Sequence, residues 1–147
     1  MSTPSLVPKS LTSGQAAVEA LLVVMLMALL IFGGIQLSQG VAIRQALDSG
    51  TGAGARALSL DPSQWNFASN VIQQSVNQNV MGSTVPVTVN VYDASDNLRS
   101  ATWLSSSSFG TSFILEASVP FDAEIPFLSN SPIVIRVRHW GIVERYP

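Results

Sequence analysis

From Ala16 to Ile35 every residue is apolar except one carboxylate, Glu19. At about 1.5 Å of rise per residue, a helix of this length covers about 30 Å, the thickness of a bilayer's hydrocarbon layer. No other segment constrains the fold as strongly, because lipid admits only helices and closed barrels. The run predicts one transmembrane helix over residues 15–36. A cleaved secretory signal fits less well, since its apolar region runs about 7–15 residues and ends in a small-x-small site. Here the run is longer, contains an acid and leads into Gln36-Leu37-Ser38-Gln39. An ionisable group within a span costs about 2.5–3.5 kcal/mol on insertion scales and is usually kept for a function, which singles out Glu19. Ahead of the span the positive charges are Lys9 and the initial amine, so the leader is expected inside and the C-terminal part outside.

Beyond that helix the chain has length for one small domain. Charged residues make up 11 % of the sequence, so Ser, Thr, Asn and Gln carry much of its polarity, as suits a surface that packs against copies or partners. The formal charge of −2 becomes −3 without residues 1–14, because Lys9 leaves with them. No basic patch for nucleic acid is present. The absence of cysteine excludes disulfides and thiol chemistry, and no N-x-Ser/Thr acceptor occurs.

Apolar spacing at three and four continues past the span through Ile35, Val41, Ala42, Ala46 and Leu47 to Ala57 and Leu58, with Arg44, Gln45 and Asp48 available for another face. Residues 37–60 therefore read as a helical extension or a linker. Gly50, Gly52 and Gly54 each cost about 1 kcal/mol in a helix interior, which favours the linker. Against that, Ala46, Gly50, Gly54 and Ala57 follow at i+4, i+4 and i+3, a side-chain-free groove that another backbone can approach.

Residues 61–147 read as an extracytoplasmic α+β domain. Asp61-Pro62-Ser63-Gln64 suggests a helix start, with Asp61 as N-cap, Pro62 at the first helical position and Gln64 closing a capping box. Trp65, Ala68, Ile72, Val76 and Val80 form its apolar stripe, and Met81-Gly82 offers a stop. Its amide-rich face (Asn66, Asn70, Gln73, Gln74, Asn77, Gln78) is either solvated or a partner surface. From Thr84 the period becomes two. A strand through Val85, Val87, Val89 and Val91 contains Pro86, which places it at an edge or gives it an irregular start. A turn at Asp93–Asn97, a weaker strand over 98–104 and a loop over 105–110 follow. A third strand points Phe113, Leu115, Ala117 and Val119 inward, and a fourth points Ile133, Ile135 and Val137 inward with Arg136 and Arg138 outward. Antiparallel pairing would set Glu116 beside Arg136 or Arg138 as an exposed pair contributing about 0–1 kcal/mol. Val119-Pro120-Phe121 and Ile125-Pro126-Phe127 read as clamps pinning one loop to the core.

A polar leader ending in Gly14, a glutamate five residues later at Glu19 and an apolar helix beyond resemble the class III leader and stem of type IV pilins and pseudopilins. The stretch from Gly14 to Glu19, with Ile43-Arg44-Gln45-Ala46-Leu47 and Gly54-Ala55-Arg56-Ala57, is similar more narrowly to the TadE family of minor pseudopilins. The Ala117–Phe121 strand exit and the Ile135–Arg138 strand are also similar. Ala20 stands where the small Flp-type major pilins carry an aromatic residue, and the chain is longer than theirs, which points to a minor component.

The resemblance implies a pilin-like fold and cleavage by a prepilin peptidase between Gly14 and Gln15, with residues 1–14 as leader. It further implies that Glu19, fifth in the mature chain, meets the new amine of a neighbouring subunit. The amine at Gln15 and the Glu19 carboxylate lie about 6 Å apart along a helix axis, so a neighbour shifted by about one turn would join them. Snorkelling of Glu19 to the headgroups is the other reading.

His139 is the only histidine, and no metal-ligand or catalytic spacing accompanies it. It continues the inward face of the last strand as a structural histidine. Asp93, Asp96 and Asn97 match a turn better than a calcium loop. No enzyme, cofactor or metal is expected. The expected function is a structural and assembly component of a Tad/Flp-type pilus at the cell surface. It would be held single-pass in the inner or cytoplasmic membrane, with pilin subunits, prepilin peptidase and membrane lipid as partners. The alternative is an unprocessed single-pass anchor displaying an extracellular binding module.

Overall fold

The computed structural model of the protein describes residues 10–79, 85–122 and 132–144. One helix, α1 (Ser10–Leu60), runs 51 residues. It is followed by α2 (Trp65–Asn77), β1 (Thr88–Asp93), β2 (Leu98–Arg99), the single-turn α3 (Ala101–Ser105), β3 (Ser112–Phe121) and β4 (Ile133–Ile142). The strands form one antiparallel sheet in the order β2-β1-β3-β4, with α1 and α2 packed on one face. The fold is α+β, as the sequence predicts.

The two halves of α1 meet different surroundings. On the first, Val18, Leu22, Leu26 and Leu30 are 59 %, 62 %, 59 % and 64 % exposed, and Leu21, Val24, Met27 and Ile31 on other faces are equally bare. This half is long and apolar enough to cross a membrane. From Ile43 onward the helix is half of a core. Ile43, Leu47, Ala55 and Leu58 pack with Ala68, Ile72 and Val76 of α2 and with Val91, Phe113, Leu115, Ala117 and Val119 of the sheet. Of the two readings for residues 37–60, the helix is the one present: it passes through Ser49–Gly54 unbroken. Burial on both sides offsets the glycines' propensity cost of about 1 kcal/mol each.

β4 runs in the same direction as α1. Phe121, paired with Ile133, lies over Gly40, His139 lies over Gly52, and the Glu144 N–H donates to the Ser59 carbonyl. Gly141 has the Phe113 ring where a Cβ would stand, so no larger residue fits there without movement.

Several local expectations change. Asp61 does not cap α2: the helix begins at Trp65, with Gln64 at the cap position and no side-chain cap bond. Asp61 instead closes the turn after α1, accepting from the Ser63 N–H and hydroxyl and from the Gln64 amide. Pro62 is buried in that turn, where its fixed φ suits a chain reversal as well as a first helical turn. The weak strand expected over 98–104 stops at Arg99, because Ser100 accepts from the Trp103 N–H and starts α3. Strand β1 starts after Pro86, at Thr88, as its missing donor requires. Val80, Met81-Gly82, Thr84 and the Ile125-Pro126-Phe127 clamp lie outside the described residues.

The amide-rich face of α2 is more than a solvated surface at one position. Gln73 donates from Nε2 to the Val85 carbonyl at 2.8 Å and accepts from the Val87 N–H at 3.0 Å. One side chain thus stands in for a neighbouring strand where the chain enters β1.

Candidate functional site

Gly14, Gln15 and Glu19 lie on α1 near the start of its bare half, all exposed, and nothing comes within 4 Å of a Cβ built on Gly14. Gln15 and Glu19 are one helical turn apart and share a face. Among residues 16–43 of α1, Glu19 is the sole charge.

The small-residue stripe sits lower on the same helix. A Cβ on Gly50 would fall 3.0 Å from Ser75 Cβ and 3.2 Å from Ile72 Cα, and one on Gly54 would fall 3.1 Å from Ile72 Cδ1 and 3.4 Å from the Ala68 carbonyl oxygen. Ala46 is 4 % exposed and Ala57 is half-buried. The backbone that approaches Gly50 and Gly54 is α2 of the same chain, so these two glycines join stem to head.

Two polar contacts tie the sheet together and to the stem. His139 Nε2 lies 2.9 Å from Asp48 Oδ1 on α1, which gives the lone histidine a structural partner. Glu116 corrects the expectation of an exposed pair: it is 3 % exposed. It accepts from Arg138 Nε at 2.6 Å, lies 3.5 Å from Arg136 Nε and accepts from the Tyr92 hydroxyl at 3.3 Å. Arg138 also bonds Asp96 and stacks on Tyr92. The cause of the burial is β3's central place, where β1 and β4 cover both sides of its outer face. Ile114 and Leu115, consecutive and both buried, carry that signal in the sequence, since a strand buried on one face alone would alternate.

At the far end of the sheet the Asp93–Asn97 segment is a tight turn. Asp93 accepts from the Ser95 and Asn97 N–H groups, Asp96 adopts a φ of 64°, and Arg99 bonds the same carboxylate. The bond from the Asn97 backbone, with help from Arg99, holds the Asp93 carboxyl at about 2, below its ordinary 3.8. Among the described residues no group of three or more His, Asp or Glu is placed to hold a metal ion.

A bare apolar helix entering a two-layer α+β head defines a stem-and-head protein whose stem is compatible with a single-pass membrane anchor. The family model described as TadE-like protein matches residues 14–56, from Gly14 to the part of α1 packed under the head. That match covers the stem and agrees with the resemblance read from the sequence. Comparison with curated proteins and with solved structures finds no match to the chain.

Proposed function

We propose that the chain is a non-catalytic minor pseudopilin that takes part in building a Tad/Flp-type pilus. In this reading it waits in the inner or cytoplasmic membrane with its head extracytoplasmic. A prepilin peptidase removes residues 1–14 and leaves Gln15 as the mature terminus. The observation that carries the reading is the partition of α1. Among the described residues nothing packs around its first half, which carries Glu19 alone among its apolar residues, and the family match begins at Gly14. A carboxylate at that depth is tolerated when paired, and cleavage creates a cation about 6 Å away along the helix axis. A neighbour displaced by about one turn brings amine and carboxylate together and sets the stagger between subunits.

Mass spectrometry of the protein isolated from its host tests the processing step. A chain beginning at Gln15 supports the proposal, and retention of Met1 or Ser2 replaces it with an anchored binding module. Glu19→Ala is expected to leave cleavage intact and to reduce the amount of the protein in sheared pili. Unchanged incorporation at equal protein level would remove the pairing from the mechanism.

A further inference from the structure

Where α1 leaves its bare half, an open groove of about 370 Å³ lies between the helix and the near ends of β3 and β4. Leu37, Gly40, Val41 and Arg44 line it from the helix, and Phe121 and Ile133 line it from the strands. The Phe121 ring comes to 3.4 Å of a Cβ position on Gly40, so the missing side chain lets the strand end close onto the stem and make the wall. Yet among the described residues the groove's lips stay apolar and uncovered: Leu37 is 72 % exposed, Ile133 57 % and Val41 49 %. Such side chains grouped on a water-facing surface ordinarily mark a contact.

We infer that this groove is the face by which the head rests on the membrane, with lipid acyl chains against Leu37, Val41, Phe121 and Ile133 and a lipid phosphate on Arg44. The inference rests on the reading of Ala16–Ile35 as a span. Depth along the helix selects the occupant. Leu37 stands about 3 Å and Val41 about 9 Å beyond Ile35, where the headgroup layer extends about 5–8 Å past the hydrocarbon. Helical side chains lean toward the N-terminus, which for α1 is the membrane side, so both reach back into the boundary between headgroups and acyl chains. Arg44 starts about 13 Å out, and its long side chain leaning the same way brings the guanidinium to the phosphates. Among the described residues no carboxylate pairs with Arg44. The groove is continuous with the bare half of α1 through Gly33, so lipid covering one covers the other. The head is thereby held at a fixed height on the leaflet from which α1 emerges.

The cysteine-free sequence allows clean single-site labelling of the full chain. An environment-sensitive fluorophore is placed at Ile133→Cys in the groove, at Met27→Cys in the span and at Ser95→Cys in the distal turn. The chains are reconstituted in phosphatidylethanolamine/phosphatidylglycerol vesicles with a doxyl-labelled lipid as quencher. The Ile133 probe should be quenched several-fold more than the Ser95 probe and comparably to the Met27 probe, as a group seated at the acyl boundary would be. Arg44→Gln should reduce that quenching, and Arg44→Lys should retain it. Quenching at Met27 without quenching at Ile133 overturns the inference and leaves the span intact. In that case a blue-shifted Ile133 probe that loses its shift on dilution in lipid assigns the groove to a second copy. A shift that persists assigns it to residues 123–131 of the same chain. An unquenched Met27 probe overturns the span and the inference together.

Discussion

Two halves of one helix both carry apolar residues and use them in opposite ways. Between Val18 and Phe32 most side chains are large, and they are bare on every face. Between Ile43 and Leu58 large residues alternate with Ala, Gly and Thr, and nearly all that face inward are covered by α2 or the sheet. Side-chain size along the helix marks the change of solvent. Lipid is a liquid and accepts a surface of any shape, whereas a protein neighbour has a fixed backbone that must come close to exclude water. Gly50 and Gly54 are what that closeness requires.

The sharpest way to break this contrast is to truncate one leucine in each half. Leu58→Ala should lower the head's stability by about 2–5 kcal/mol in thermal or denaturant unfolding of the reconstituted chain, while Leu26→Ala leaves the head's transition unmoved. Equal effects would mean that the halves are not energetically distinct. Next comes the seam. Gly50→Leu forces a side chain into Ser75 and the Ile72 backbone, and should cost about 1–3 kcal/mol despite leucine's better helix propensity. Gly33→Leu, in the bare half with nothing within 4 Å of its Cβ position, should cost the head nothing. Glu116→Gln is expected to cost about 1–3 kcal/mol by removing the charge that both arginines face, and raised salt should not reproduce the loss, since the carboxylate is buried.

The smallest effect is a local one with pH. Asp93 titrates lower in the folded protein than in the unfolded chain, so its contribution is full above the ordinary value of 3.8 and fades as pH falls toward about 2. The exchange protection of the Asn97 amide, whose N–H the carboxylate accepts, should fall across that window relative to the free-peptide rate at each pH, while that of amides along the α1–α2 seam holds. Simultaneous loosening of both would show that the turn and the seam open as one unit.

Much of this was legible in the residues because it depends on local pattern. The period-two runs placed Phe113, Leu115, Ala117 and Val119 inward, and all are fully buried. The amphipathic stripe of α2 gave Ala68, Ile72 and Val76 correctly. Glu19 stands out as the one charge in an apolar run, whereas Gly14 and Gln15 are singled out by the resemblance to pilin leaders. Where the reading failed, a local signal had two physical outlets. Asp61 and Ser100 are both good caps, but Asp61 closed a turn while Ser100 started a helix inside an expected strand. Nothing in either tetrapeptide decides between them, because the choice depends on which backbone donors the packed chain leaves open. Glu116 was assigned the correct face and the wrong burial, since periodicity reports direction and is silent about what lies above the sheet.

By itself the sequence determined an apolar stem with one acid, an amphipathic helix and a short antiparallel sheet, because hydrophobic periodicity and chain length are local properties. Only the tertiary structure decided that the glycine stripe is occupied by α2, that β4 lies along the stem with His139 against Asp48, and that an apolar groove opens at the foot of the head. Those features depend on which surfaces meet across distant parts of the chain, and close packing selects such meetings only once the whole head has assembled.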